Sequence, residues 1–271
     1  MKFKINLISG FKFSFVEIAN VFNVLCNVSL FDNKLKEVAN NTAYNERKTK
    51  ILINFLVECG TVESRTYEIT NIGHIIHEYD AFLEDIGTIW IMHYIISSKE
   101  HLIIWNRMFN AVIDNDAKNR ENMMIYFHDV KKEIAEYTFE RNVRKEIKMV
   151  LDAYINERFC KLDLINFNNN EYSSNRNGNI PELILLLTIL LYKDKYYPGS
   201  TTINIKDICC TENSPGRLLF LDEFYLRSKL EVLKNQNLIG LESRADLDQI
   251  RLGNDLTVEG TIKQYYQSIR G

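Results

Sequence analysis

The stretch NTAYNERKTKILINFLVECGTVESRTYEIT, residues 41–70, decides the fold of the amino-terminal region. Its first twenty residues carry large side chains at the spacing of one helix face, namely Tyr44, Ile51, Leu52, Phe55 and Leu56. Gly60 is suited to end this helix because glycine readily takes the left-handed conformation. Beyond it, Tyr67 and Ile69 alternate with polar residues, which predicts a short β-hairpin over 61–70.

Two helices are predicted before this stretch. FVEIANVFNVLCNV, residues 15–28, forms one apolar stripe at helical spacing, and DNKLKEVAN, residues 32–40, reads as a short helix with Leu35 and Val38 facing inward. The resulting order of helix, short helix, longer helix and hairpin is that of a winged helix-turn-helix. We therefore predict such a module over residues 1–70, with the third helix as the element that enters the DNA major groove.

Basic residues cluster on the third helix and the hairpin of this module. Arg47, Lys48 and Lys50 lie on the helix, and Arg65 lies in the hairpin. These four side chains are the predicted contacts to phosphates or base edges. The same charges also fit a solvated helix face or a protein-docking surface, because many winged helices bind no nucleic acid.

The region from residue 71 to residue 166 is predicted to be a helical core. It contains both tryptophans and a long amphipathic segment that ends near residue 155. That segment carries the most concentrated basic stripe of the chain, Arg141, Arg144, Lys145 and Lys148. Glutamates are interleaved with this stripe, which favours ordinary salt bridges along a helix surface over a binding site.

A polar stretch rich in Asn and Ser, residues 167–180, is predicted to be a linker, and residues 181–271 to be a second winged helix. The order there is helix, strand, short helix, longer helix and hairpin, in which Ile239 and Leu241 face Ile250 and Leu252. Lys229, Lys234, Arg244 and Arg251 are its candidate DNA contacts. The predicted fold class is mainly α, with two winged helix-turn-helix modules flanking a helical core.

Composition limits the class of protein. The 271 residues include 33 Lys and Arg against 36 Asp and Glu, a net charge of −3, which excludes a globally basic nucleic-acid binder but not a local basic face. The low numbers of glycine and proline, 11 and 3, argue against a turn-rich β fold. The 5 Cys show no paired spacing, and no apolar run reaches the roughly twenty residues of a membrane span. We therefore expect a cytoplasmic protein without a membrane partner.

No catalytic constellation is recognisable in the sequence, which contains no Gly-rich phosphate loop and no nucleophile elbow. His74 and His77 stand one helical turn apart, but no further metal ligand has the usual spacing from them. Asp80 is expected to cap a helix beginning at Ala81 rather than to bind an ion. We therefore expect a non-enzymatic protein with no metal and no cofactor.

The stretch from residue 65 to residue 112 resembles a bacterial family called domain of unknown function 4007. The matching elements of the family are an L-T-x-x-G-x-x-[IL] segment, a D-x-[FY]-L-E-D-x-x-T-[LI]-W segment, an H-Y or H-W pair and a W-x-x-x-F-N segment. Here they stand as Ile69, Thr70, Gly73, Asp80, Phe82, Leu83, Glu84, Asp85, Thr88, Trp90, His93, Tyr94, Trp105, Phe109 and Asn110. The chain departs from the family near its start, where many members carry G-H-E-[ST]-F and this sequence has Gly10-Phe11-Lys12-Phe13.

The resemblance implies an accessory role in bacterial defence or DNA modification, often beside sulfotransfer-type enzymes resembling PAPS reductase, and it assigns no catalytic residue. The leading hypothesis is a non-enzymatic accessory protein that associates with double-stranded DNA and with other defence or DNA-modification proteins. Two alternatives remain open at this point. One is a protein-docking adaptor within a multisubunit complex, and the other is a winged-helix transcription regulator.

Overall fold

The computed structural model describes residues 3–5, 7–8, 10–27, 33–114, 119–132, 135–244 and 247–270. The chain is mainly α-helical, with two small antiparallel sheets. This agrees with the predicted fold class at the level of secondary structure.

Three helices and a short hairpin form the amino-terminal region. The helices are α1 (Phe15–Asn27), α2 (Lys34–Thr42) and α3 (Glu46–Glu58). The side chains of Asn33 and Asn45 cap α2 and α3, which fixes where both helices begin. The following residues are joined by a single antiparallel bridge between Val62 and Ile69, so the hairpin is present in minimal form.

The middle region is helical but more broken than its sequence pattern predicts. It contains α4 (Asn71–Asp80), α5 (Ile86–Ser97), α6 (Ile103–Arg107), α7 (Arg120–Met123) and α8 (Glu136–Ile155). A π-helical turn spans Met108–Val112, and 3₁₀ helices span Met124–Lys132 and Arg158–Leu162. The prediction of a single long amphipathic segment up to residue 155 is therefore wrong. The 3₁₀ turns bury Met124, Phe127 and Val130, so apolar burial is met without a continuous α-helix.

A β-hairpin occupies part of the predicted linker. The strands β1 (Ile165–Asn168) and β2 (Glu171–Ser174) pair antiparallel, with Phe167 opposite Tyr172. Their rings stack with centroids 4.4 Å apart. Asn169 and Asn170 both have positive φ, as a two-residue hairpin turn requires. Residues 167–174 of the predicted linker therefore belong to a hairpin, whereas residues 175–180 form no helix or strand.

The carboxy-terminal region begins with α9 (Glu182–Tyr196), followed by β3 (Thr202–Asn204), α10 (Ile205–Cys210), α11 (Pro215–Leu218) and α12 (Glu223–Asn235). It ends with β4 (Ile239–Arg244), β5 (Leu247–Leu252) and α13 (Val258–Arg270). The three strands form an antiparallel sheet in the order β3-β5-β4. Ile239 pairs with Leu252 and Leu241 with Ile250, which is the predicted pairing. The turn at residues 245–246 lies outside the described residues.

The hydrophobic core runs without interruption through all three regions. The last helix joins the middle and carboxy-terminal parts of this core, because α13 packs against both α4 and α9. No helix among the described residues has both the length and the apolar character needed to cross a membrane. The apolar run in α9 is instead buried in this core.

Candidate nucleic-acid interface

The amino-terminal region presents α3 after a tight turn. Ala43 ends α2 in the left-handed conformation, and its backbone N–H donates to the carbonyls of Ala39 and Asn40. Asn45 then begins α3 by accepting a 2.9 Å hydrogen bond from the backbone N–H of Lys48. The buried face of α3 includes Ile53 and Phe55, so the opposite, polar face of the helix points outward.

Arg47, Lys50 and Arg65, three of the four contacts predicted in this region, are exposed. Their side chains form no ion pair with any residue that the structure describes, so their charges are available to a ligand. Lys48 differs from these three side chains. Its Nζ lies 2.5 Å from a carboxylate oxygen of Glu17 and above the ring of Tyr44, so its charge is neutralised within the fold. Of the four predicted contacts in this region, Lys48 is therefore the one whose charge is paired with a carboxylate in the described structure.

A cleft of about 600 Å³ lies between the amino-terminal segment and α8. The guanidinium of Arg47 stands 5.8 Å from the ring centroid of Phe11, a residue that lines this cleft. Lys12, Lys145 and Lys148 line it as well. Arg47 therefore contacts one residue of a cleft that three lysines also line, although Arg47 itself does not line the cleft.

The basic stripe of α8 divides into paired and unpaired members. Arg144 bonds to Glu121 and lies near Glu140, as the salt-bridge interpretation expects. Lys145 and Lys148 are exposed and have no ion pair within the described ranges. These two lysines are not among the predicted contacts. Their helical spacing is visible in the sequence, but the spacing does not show which cations of the stripe a carboxylate reaches.

The cations predicted in the carboxy-terminal region are mostly neutralised. Lys229 pairs with Glu182 at 2.9 Å, Lys234 with Glu231 at 3.1 Å and Arg251 with Glu242 at 2.7 Å. Arg244 is exposed and unpaired among the described residues, although its charge helps to lower the pKa of Glu242. The eight predicted contacts therefore do not form one uniform basic surface.

Carboxylates next to these cations remain ionised. Hydrogen bonds from Gln249 and Arg251 hold the pKa of Glu242 below its ordinary value. Hydrogen bonds from Arg227 and Ser243 do the same for the pKa of Asp248. Arg227 bonds to Asp248 and also to Glu223 at 2.8 Å, so the exposed start of α12 carries compensated charge. A polyanion gains little net attraction from such a surface.

Residues of the motif at 80–90 attach the last helix to the middle region. Asp85, not Asp80, caps the helix that follows, and that helix begins at Ile86 rather than at Ala81. Asp80 instead accepts a 2.7 Å hydrogen bond from the hydroxyl of Thr88. The hydroxyls of Thr88 and Tyr266 on α13 are 2.5 Å apart, and Tyr265 donates to Asp85 at 3.0 Å.

Most of the large apolar side chains of this motif pack in the core. Leu83 and Trp90 are buried, whereas Phe82 is 60% exposed. His93 is fully buried, with its Nδ1 2.5 Å from the hydroxyl of Tyr154 and its Nε2 2.9 Å from the carbonyl of Leu218. Both ring nitrogens are therefore engaged inside the core. Burial lowers the pKa of His93 to about 4, so the imidazole is neutral at physiological pH.

His74 and His77, which stand one helical turn apart, both lie on α4. His77 Nε2 is 3.0 Å from the side-chain oxygen of Asn23, and His74 is exposed. Among the described residues, no group of three or more His, Cys, Asp or Glu side chains could hold a metal ion.

Comparison with known proteins identifies a family and a fold. A family model described as protein of unknown function (DUF4007) matches residues 54–266. None of the curated proteins compared with the chain matches it. A magnesium-ion-bound crystal structure of SspB is similar, with a TM-score of 0.78 and 12% identity over 99% of this chain and 89% of that one. A second SspB crystal structure has a TM-score of 0.79 at the same identity and coverage. At this identity the likeness shows the fold alone.

Proposed function

The chain belongs to the DUF4007 family, and on that premise we propose that it is a non-enzymatic accessory protein that associates with double-stranded DNA. It does so with its amino-terminal region and serves a bacterial defence or DNA-modification system. That cellular context comes from the resemblance of the motif residues described above.

Both ends of the chain act as winged helices in this proposal. At the amino terminus, α2 and α3 are joined by a three-residue turn and followed by a hairpin, which is the order of a helix-turn-helix with a wing. At the carboxy terminus, α10 to α12 are followed by the β4–β5 hairpin, and β3 completes a three-stranded sheet. The second helix of each helix-turn-helix is the element that would meet a partner.

The observation that carries DNA association is the unpaired charge on α3 and its hairpin. Arg47 and Lys50 lie one turn apart on the exposed face of α3, and Arg65 lies in the hairpin. A helix-turn-helix places these positions against the major groove and the neighbouring phosphates. Free guanidinium and ammonium groups there supply the sequence-independent part of DNA binding by releasing counterions.

The carboxy-terminal region docks a protein instead. The pairing of Lys229, Lys234 and Arg251 with carboxylates favours this role over DNA contact. Phe224, at the start of α12, is 76% exposed beside the compensated charges of Arg227. An exposed aromatic ring with a charge-compensated rim is typical of a protein-binding anchor. This combines the accessory and adaptor hypotheses by assigning them to different ends of the chain.

A binding experiment with duplex DNA tests the first role. Fluorescence anisotropy with a labelled blunt duplex of about twenty base pairs compares the wild-type protein with Lys50→Glu/Arg65→Glu. The matched control is Lys206→Glu/Lys263→Glu, which changes the net charge equally at two exposed lysines of the carboxy-terminal region. We expect the first variant to lose most of its affinity and the control to keep it. Absence of wild-type binding at low salt, or equal losses in both variants, would contradict the proposal.

The second role has its own test. Co-purification of a partner protein should survive charge reversal at Arg47 and Lys50 and should fail for Phe224→Asp. Circular dichroism is the folding control, because Phe224 is exposed and its replacement leaves the core intact. Loss of the partner in the charge-reversal variant instead would place docking on α3.

A further inference from the structure

The cleft that contains Phe11 lies between the amino-terminal segment and α8. Its wall on the amino-terminal side contains Phe11, Lys12 and Phe13, and its wall on the α8 side contains Lys145, Lys148 and Met149. Lys12, Lys145 and Lys148 are exposed and make no ion pair within the part of the chain that the structure describes. Three ammonium groups thus surround one concave space.

Three carboxylates also line the cleft, but two of them are engaged with the backbone. Glu146 is 2% exposed and accepts a hydrogen bond from the N–H of Leu7 at 3.3 Å. Glu157 accepts one from the N–H of Phe15 at 3.1 Å, at the beginning of α1. Only Asp152 is an exposed carboxylate. The exposed charged side chains of the cleft are therefore three lysines and one aspartate, while the two carboxylates that accept from backbone N–H groups keep their negative charge.

Apolar surface accompanies these charges. Phe11 is half-buried and carries the Arg47 guanidinium near its ring, and the partly buried Met149 adds a soft apolar side chain on the opposite wall. An aromatic face next to lysines and an arginine is the combination by which proteins hold unpaired nucleotides, with the base on the ring and phosphates on the cations. The volume of about 600 Å³ is in the range of small-ligand sites, which suits a nucleotide rather than a helix.

We propose that this cleft takes an unpaired nucleotide of a DNA strand whose adjoining phosphates lie on Lys12, Lys145 and Lys148. The inference rests on the proposed function and deepens it, because Arg47, on the proposed duplex-facing surface of α3, contacts the ring of Phe11 in the cleft. A base inside a duplex is stacked and paired, so only an overhang, a gap or an extruded base can enter such a space. The protein then recognises a junction between duplex and single strand rather than plain duplex.

Three labelled probes test this: a blunt duplex, the same duplex with a single-stranded overhang, and a single strand of the same length. The variants are Lys145→Glu/Lys148→Glu and Phe11→Leu, which keeps apolar volume but removes the aromatic face. The control is again Lys206→Glu/Lys263→Glu. We expect wild-type protein to prefer the overhang probe. The lysine variant should lose about tenfold or more on the overhang and single-strand probes, and Phe11→Leu about fivefold or more. Blunt-duplex affinity should change much less.

A second readout does not depend on affinity. A single 5-iodouracil in the overhang should crosslink on irradiation to the peptide that contains Phe11, as located by mass spectrometry. Equal affinity of the wild-type protein for blunt and overhang probes would overturn the inference, and so would equal losses on all three probes. Crosslinks found only outside the cleft, or tighter binding of an RNA overhang of the same sequence, would overturn it too.

The two proposals fail in different ways. If blunt duplex binds and depends on Lys50 and Arg65 while the overhang adds nothing, the proposed function stands and the cleft assignment falls. If blunt duplex does not bind but the single strand binds with dependence on Lys145 and Lys148, the duplex role falls and the cleft assignment stands.

Discussion

Asn213 joins the middle and carboxy-terminal regions through both its backbone and its side chain. It is buried with φ of 62°, and its side-chain oxygen accepts hydrogen bonds from Asn106 at 2.6 Å and Asn110 at 3.0 Å. Its amide donates to the hydroxyl of Tyr196 at 2.9 Å, and its backbone N–H donates to Asn110 at 2.8 Å. Asparagine tolerates the left-handed conformation better than most residues, so one residue type satisfies both requirements.

Two substitutions at Asn213 separate these contributions. Asn213→Ala should lower the free energy of unfolding by about 2–4 kcal/mol, because it loses the amide hydrogen bonds and strains the backbone. Asn213→Gly should cost about 1 kcal/mol less, because glycine takes positive φ without strain. Urea denaturation measures both. Equal costs for Ala and Gly would show that the backbone conformation at 213 contributes nothing.

His93 gives the protein a predictable pH dependence. The carbonyl of Leu218 can only accept, so Nε2 carries the proton and Nδ1 accepts from the hydroxyl of Tyr154. Burial lowers the pKa from 6.5 to about 4. Between these two values the unfolded chain binds a proton that the folded protein does not. The free energy of unfolding therefore falls as the pH decreases from about 6.5 towards 4.

The expected loss from His93 over this interval is at most about 3 kcal/mol. It is measured as the slope of unfolding free energy against pH. His93→Gln should be less stable at neutral pH but should show a flatter slope, whereas His128→Gln, at an exposed position of the 3₁₀ stretch Met124–Lys132, should change the slope little. A His93→Gln variant with the wild-type slope would refute this account.

At the scale of elements, Gly87 sets how closely α13 approaches α5. A Cβ at this position would overlap the ring of Tyr265, and the Gly87 N–H itself lies 3.2 Å from the Tyr265 hydroxyl. Gly87→Ala should therefore destabilise the protein by about 1–3 kcal/mol, although alanine is the better helix former. Urea denaturation gives the cost, and limited proteolysis of residues 258–270 reports whether α13 is released.

A double-mutant cycle provides the control for Gly87. In a Tyr265→Leu background the aromatic ring is absent, so Gly87→Ala should cost clearly less than it does in the wild-type protein. Strictly additive costs would place the effect of Gly87 elsewhere than at the contact between α5 and α13.

Elements determined by local patterns were the predictable ones. The sequence itself shows the apolar stripes of α1 and α3 and the alternation of apolar and polar residues in β4 and β5. The elements that pack or pair with each other there lie close together in the chain. The β1–β2 hairpin was missed because its polar residues resemble a linker, although Asn169-Asn170 is a turn signal and Phe167 pairs with Tyr172. The 3₁₀ stretch Met124–Lys132 was missed because its apolar residues also fit an α-helix.

At the scale of the whole molecule, the candidate site was only partly predictable because ion pairs are long-range. Lys48 reaches Glu17 across 31 positions and Lys229 reaches Glu182 across 47. Local charge counting cannot anticipate such partners. The cleft shows the opposite error, since Lys145 and Lys148 were assigned to salt bridges that they do not make in the described structure. Residue type and spacing thus identify candidate cations, but the tertiary contacts determine which of them remain without an ion pair.

The salt dependence of duplex binding measures how many of the predicted cations contact the DNA. Three free cations, Arg47, Lys50 and Arg65, predict a slope of about −3 for log affinity against log salt, which is roughly a fortyfold loss between about 50 and 200 mM. All eight cations nominated by the sequence would give a slope of about −7 and a loss beyond ten-thousandfold. Lys50→Gln should reduce the slope by about one, while Lys234→Gln should leave it unchanged, because Glu231 already neutralises Lys234. A slope near −7, or equal effects of the two variants, would mean that the ion pairs of the carboxy-terminal region open to bind DNA.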